Sequence, residues 1–339
     1  MLRYLTLLLT VVGGLSAAPI MAEDAPVLRD VIDNHILPRF TVLNDTTAQM
    51  DAAAQSNCAP DDTELREAYH AAFDAWIAAS HLRFGPTEEE NRGFAMGFWP
   101  DPKGFTTKSL GRFIQDEDPI VQDPTQYAEV SIAARGFYAM EALLYDEWIN
   151  DQGSASSRCA LVRAVAHDIA RTAQALNTDW TGAYLETFAT VGPEQLHETQ
   201  ESAVQVLLNA LDAGYQFTEE ARLGRPLGTF ERPRPKRAEA RRSKRSLRNV
   251  AISLTSLTDL ALRLSADDPD LQEIYTAGLQ RAETEMEDLS PIFAGVASTE
   301  SRLKVEILQQ EVQRMRETTN TLLAEHWGVA VGFNALDGD

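Results

Sequence analysis

From about residue 25 to residue 327 the apolar side chains recur every third or fourth position, and no stretch alternates in the two-residue rhythm of a half-buried strand. Side chains spaced this way share one face of a helix turning about 3.6 residues per turn, so the spacing predicts an all-α chain. A first helix is expected at about 25–56, with Val27, Val31, Ile36, Phe40 and Leu43 as its stripe and a kink at Pro38. A second opens on the capping pair Asp61 and Asp62, carries Tyr69, Phe73, Trp76 and Ile77, and ends at Gly85-Pro86. The turn-rich FWPDPKG segment, residues 98–104, precedes a short helix at about 105–115. Helices at about 130–146 and from about 156, the latter through Leu161, Val165, Ile169, Leu176 and Trp180, complete a first set of four long helices. After Gly192-Pro193 four more are expected, at about 194–223, 238–264, 269–289 and 299–327. Four and four imply two four-helix bundles in tandem, residues 23–191 and 192–339.

Residues 1–22 place one basic residue, Arg3, before an apolar run and then small residues, the layout of a secretory signal peptide cleaved after Ala22. No later segment is apolar enough to cross a bilayer, so a soluble, exported, periplasmic protein is expected. Export puts Cys58 and Cys159 in an oxidising compartment, where they are expected to form a disulfide. No Cys or His lies at zinc-finger spacing. The net charge of -21 disfavours nucleic acid and anionic membranes as partners.

Within 130–146, VSIAARGFYAMEALLYD, the residues Ala133, Phe137, Met140 and Leu144 form an apolar stripe on a single predicted helix. Gly136 falls on that apolar side, where its poor helix propensity calls for another reason, and close approach of a neighbouring helix supplies one. Tyr138 and Glu141 are one turn apart and can face the same ligand, with Glu141 partly desolvated. The cleft between two bundles is the natural place for a site. Candidates from the first half are Trp76, Arg83, Tyr138 and Glu141; from the second, Arg242, Ser246, Asn249 and Ser253 recur at helical spacing as a polar seam. A solvated face is the alternative for that seam.

Eleven Lys and Arg lie between Arg222 and Arg248 against Glu231 and Glu239 alone, on a Pro-interrupted stretch read as a long crossing loop. Either this run neutralises its own acidic bundle, or it lines the cleft and recognises an anion such as a carboxylate or phosphate. Hydrolase chemistry finds little support. None of the six His lies three or four residues from another, as a zinc peptidase helix would need, and there is no GxSxG elbow or phosphate-binding loop.

Four segments, FGPTEEENRGFAMGFWPDPKG from Phe84, SIAARGFYAMEALLYD from Ser131, GRPLG with RRSKRSL between Gly224 and Leu247, and the terminal VGFNALDGD, resemble the imelysin-like family over nearly the whole mature chain. The resemblance implies an exported fold of two helical bundles, a site at their interface, and a role in bacterial iron or metal uptake alongside other envelope iron-uptake proteins. It also carries the family's former classification as metallopeptidases. Gly136 and Glu141 match the family's GxHxxE motif, but position 138 is Tyr, a poorer metal ligand than imidazole, although Tyr138 and Glu141 together could still ligate iron or another hard ion. The expected function is therefore non-enzymatic binding of a small anionic ligand or metal complex. Glu141 would supply a carboxylate and Tyr138 a hydrogen bond or phenolate, with Arg83, Arg242 and Ser246 holding an anionic group. A divergent metallopeptidase and a cell-envelope interaction module are the alternatives.

Overall fold

In a computed structural model, residues 23–330 are described; the expected signal peptide, residues 1–22, and the terminal VGFNALDGD, residues 331–339, lie outside them. Among the described residues eight helices form two sets, and the expected short helix, Phe105–Gln115, packs on the third and fourth of them. The eight are α1 (Leu37–Ser56), α2 (Thr63–Ala79), α3 (Gly136–Tyr145), α4 (Ala155–Thr181), α5 (Gln200–Gln216), α6 (Ser246–Leu264), α7 (Pro269–Met286) and α8 (Thr299–Thr318). Among α1 to α4, α1 packs on α2 and α4, and α3 on α4; among α5 to α8, α5 packs on α6 and α8, and α7 on α6 and α8. This arrangement is compatible with two four-helix bundles, and α2 and α6 are the main helices that join them. No helix among the described residues is long and apolar enough to cross a membrane.

Most of the predicted stripes are buried: Phe40 stacks on Trp180 at 5.4 Å and Phe73 on Phe137 at 4.8 Å, ring centre to ring centre, with all four fully covered. Each such side chain contributes about 1.5–3 kcal/mol on leaving water. Val27 is partly covered, whereas Leu196, Leu303 and Leu322, apolar positions expected on the second set, are exposed. Helix starts follow local chemistry. Asp62 accepts the Leu65 N–H at 2.8 Å, Ser154 accepts that of Ser157 at 3.1 Å, and Thr199 and Ser202 cap α5 reciprocally. Cys58, between α1 and α2, is disulfide-bonded to Cys159 in the first turns of α4, with their Cα atoms 5.2 Å apart.

Several helix boundaries differ from the sequence reading. The helix expected at about 194–223 begins at Gln200 as α5 and passes into a π turn at Phe217–Gly224. The first predicted helix runs 26–31, widens to a π turn at Ile32–Ile36 and continues as α1. Pro38, having no N–H to return to the carbonyl four residues back, is accommodated where the ladder is already shifted. The 130–146 stretch is broken, since Arg135 is extended and α3 begins only at Gly136, whose φ is +74°. The helix expected from 238 starts at Ser246; residues 238–245 form an irregular segment with Ala240 and Lys244 at positive φ, because their polar groups turn inward to partners on α2 and α3. The α8 helix loosens to a π turn at Thr319–Leu323. One short antiparallel pair, Glu23–Asp24 with Thr190–Val191, was not expected, being too short to produce an alternating pattern.

Close approach does account for Gly136, though from the backbone of the short Arg92–Met96 helix. A Cβ there would overlap the Ala95 and Met96 carbonyl oxygens. Combined with the left-handed φ, this predicts that Gly136→Ala destabilises the protein by about 3 kcal/mol or more. The urea midpoint measures it, and a loss of under about 0.5 kcal/mol would contradict the assignment.

Candidate functional site

Breaking the helix at Gly136 sets Tyr138 and Glu141 in the first turns of α3, aimed at the irregular segment before α6. Glu141 is 4% exposed, and one of its oxygens accepts both the Ser243 N–H, at 2.9 Å, and the Ser243 hydroxyl, at 2.8 Å. Burial raises its pKa, while the Ser243 hydrogen bonds, Arg242 and Arg241 act in the opposite sense. Tyr138 donates its phenol to Glu239, whose other oxygen accepts from Arg222 Nε at 2.9 Å. Arg222 also donates to Thr218 and Ser253. Burial, then the Glu239 charge, pushes the Tyr138 phenol well above its usual pKa, so it stays protonated.

Beside these carboxylates is a cavity of about 360 Å³, within the range of small-ligand sites. Trp99, Tyr138 and Phe98 form an aromatic wall, and Arg225, Lys236, Arg237, Arg241 and Arg242 supply cations. Its two carboxylates are engaged: Glu141 by Ser243, and Asp101 by the Phe105 and Thr106 N–H groups at 3.0 and 2.8 Å. Arg242 pairs with Asp146. Arg225, Lys236, Arg237 and Arg241 have no carboxylate at ion-pairing distance among the described residues. Arg225 lies over the Trp99 ring at 5.5 Å, and its buried Nε has no acceptor among the described residues.

Of the residues selected from sequence, Tyr138, Glu141 and Arg242 line this cavity. Ser246 and Ser253 are buried behind it, bonded to the Glu239 carbonyl and to Thr218 and Arg222. Asn249 is fully buried on the same face, with neither side-chain polar atom partnered among the described residues. The seam is therefore not a solvated face. Trp76 is buried against Phe137 and Gly97 and does not line the cavity. Arg83 also lies outside it, paired with Glu88 and stacked on Phe94 at 4.5 Å, because its side chain lies along the Phe84–Met96 segment.

A bare metal ion does not fit Tyr138 and Glu141. A protonated phenol already donating to Glu239 has no phenolate to offer, Glu141 is engaged by Ser243, and the surrounding charge is positive. No group of three or more His, Cys, Asp or Glu among the described residues is arranged to hold a metal. Arg225, Lys236, Arg237 and Arg241 belong to the basic run between Arg222 and Arg248 that the sequence offers as one lining of the cleft, although none of them stands out singly. Trp99 and Ser243 carry no such signal.

These features define an all-α protein with a cationic cleft between two packed helical sets. The chain belongs to the imelysin family, whose model, described as imelysin, matches residues 36–319. Among solved structures it is similar to an imelysin-like protein from Psychrobacter arcticum 273-4, with 16% identity, a TM-score of 0.76, and coverage of 91% of this chain and 96% of that one. It is also similar to a Parabacteroides distasonis ATCC 8503 protein described as an iron-regulated protein A precursor, with 12% identity, a TM-score of 0.70, and coverage of 88% and 94%. A search of curated proteins found no match.

The Tyr138–Glu239–Arg222 chain predicts an asymmetry between two substitutions. Arg222→Met strands a buried carboxylate and is expected to cost about 3–5 kcal/mol, whereas Tyr138→Phe leaves Glu239 its cation and costs about 1–3 kcal/mol. Denaturant unfolding of both variants checks the order, and a costlier Tyr138→Phe would count against it.

Proposed function

We propose that this imelysin-family protein is exported, divides near Gly192 into two helical bundles, and binds a small anionic ligand in the cleft between them without enzymatic turnover. The ligand is a polycarboxylate or phosphate, free or wrapped around iron, in an iron-uptake context. A metal would enter only as a complex presenting its anionic groups to the protein. The observation that carries this reading is the charge unmatched among the described residues: four cations face the cavity while both carboxylates on its lining are held by backbone N–H groups or by Ser243. Structural neutralisation uses other members of the basic segment: Arg245 and Arg248 pair with Asp74 and Arg222 with Glu239. The description of the Parabacteroides neighbour as iron-regulated supports the context.

A zinc-peptidase mechanism has no supporting arrangement among the described residues. The interaction-module reading has one: Phe230 is 70% exposed on the same basic loop. Charge reversal at Arg232 and Arg234 with Phe230→Ser would weaken a protein partner and leave small-anion binding intact.

Calorimetric titration with inorganic phosphate, citrate, ferric citrate and bare ferric, ferrous, zinc and copper ions tests the proposal. Binding of at least one oxyanion is expected, weakening with salt and falling about tenfold or more in an Arg225→Ala/Arg241→Ala variant, since a charge-assisted hydrogen bond is worth about 1.5–3 kcal/mol. Binding only of bare metal ions, or oxyanion binding unchanged in that variant, would overturn it.

A further inference from the structure

A second group of titratable side chains lies in the same seam, apart from the cavity. His35, in the π turn before α1, and His81, just after α2, are buried and face each other Nε2 to Nε2 at 2.9 Å. His35 turns Nδ1 to Asp259 of α6 at 2.7 Å; a carboxylate only accepts, so this nitrogen carries a hydrogen. Arg39 donates to the same Asp259 oxygen at 2.9 Å and to Ser256 of α6 at 2.7 Å, and Ser256 donates on to the Ala78 carbonyl of α2. His81 is backed by Gly214 of α5, where an added Cβ would come within 3.0 Å of its own. The pair thus sits where α1 and α2 meet α5 and α6.

Two ring nitrogens at this separation share one hydrogen. The contact tolerates one added proton and not two, because two imidazolium rings would point N–H at N–H. Even the first is opposed by burial and by Arg39, Arg263 and Arg222, with Asp259 favouring it and Asp30 already paired with Arg263. We propose that the buried His35–His81 pair is an acid-released latch: with both rings neutral, α5 and α6 close over the ends of α1 and α2 and His35 holds Asp259 of α6; as the medium acidifies, protons bind the uncovered rings and the seam opens.

The sign follows from the same groups. Burial, helped by Arg39, lowers His35 to about 4 and His81 well below its usual 6.5. The latch is at full strength above the free imidazole value and weakens as pH falls from about 6.5 toward about 4, by up to tenfold per pH unit for each excluded proton. Asp259, held well below the usual carboxylate range, stays ionised through this window. His70, bonded to Tyr145 elsewhere on the seam, is lowered to about 4 by burial and then by Arg245, and acts in the same direction. Its contribution persists in a His81 variant, so a comparison isolates the pair.

The test is hydrogen exchange of the full chain at pH 7.5 and pH 5, corrected for intrinsic rates, in wild type and His81→Gln, whose amide can donate to His35 but takes no proton. Protection in α6 and the Phe217–Gly224 turn is expected to fall at least tenfold in wild type and distinctly less in the variant. Equal pH dependence in the two, or none in wild type, would overturn the latch. Should the variant not fold, nitrogen-15 imidazole spectra of wild type decide: both rings neutral until the seam opens supports it, and titration near 6.5 with the seam closed refutes it. No bound anion is needed, so this outcome stands apart from that of the cleft titrations.

Discussion

Each helical set lends the other a buried carboxylate. Glu141, from α3, is satisfied by Ser243 on the segment leading into α6, and Glu239, from that segment, is satisfied by Tyr138 of α3 and by Arg222. A carboxylate taken out of water without partners costs several kcal/mol, so neither group tolerates the two sets drifting apart. That mutual dependence fixes where residues 238–245 run, and their path forms one wall of the cavity. The positive φ at Ala240 and Lys244 is what the chain bears to bring the Ser243 N–H inward.

The helices were legible in the sequence because a buried stripe leaves a period of three and four. Stripes such as Phe73, Trp76 and Ile77 are buried in the structure. Breaks inside helices were less legible. Nothing in the pattern around Arg135-Gly136 distinguishes an apolar helix from a turn followed by one, since the cause is the backbone of residues 95–96, some forty positions away. Residues 238–245 misled for a related reason: good helix formers were drawn out of a helix by Glu141 and Asp74.

At the site, Tyr138 and Glu141 were recoverable because they lie one turn apart, and Arg242 because it sits in a basic run. Trp99 and Arg225 were not, because their meeting is tertiary: one stands on the loop before α3 and the other beyond the end of α5. Arg83 illustrates the opposite error. An arginine near an aromatic helix end looks like an anion ligand in sequence, yet Glu88, only five residues on, occupies it.

The uneven placement of charge has an electrical consequence. A body bearing a large negative surplus, with positive groups gathered at one opening, attracts an anion at short range and repels it elsewhere, and in physiological salt each influence fades over roughly 8 Å. A compact solute of a few atoms can sit wholly inside the favourable zone. A long polyanion laid across the opening would extend beyond it and meet repulsion at both ends, so a cleft that works as proposed would discriminate by the ligand's dimensions as well as its charge.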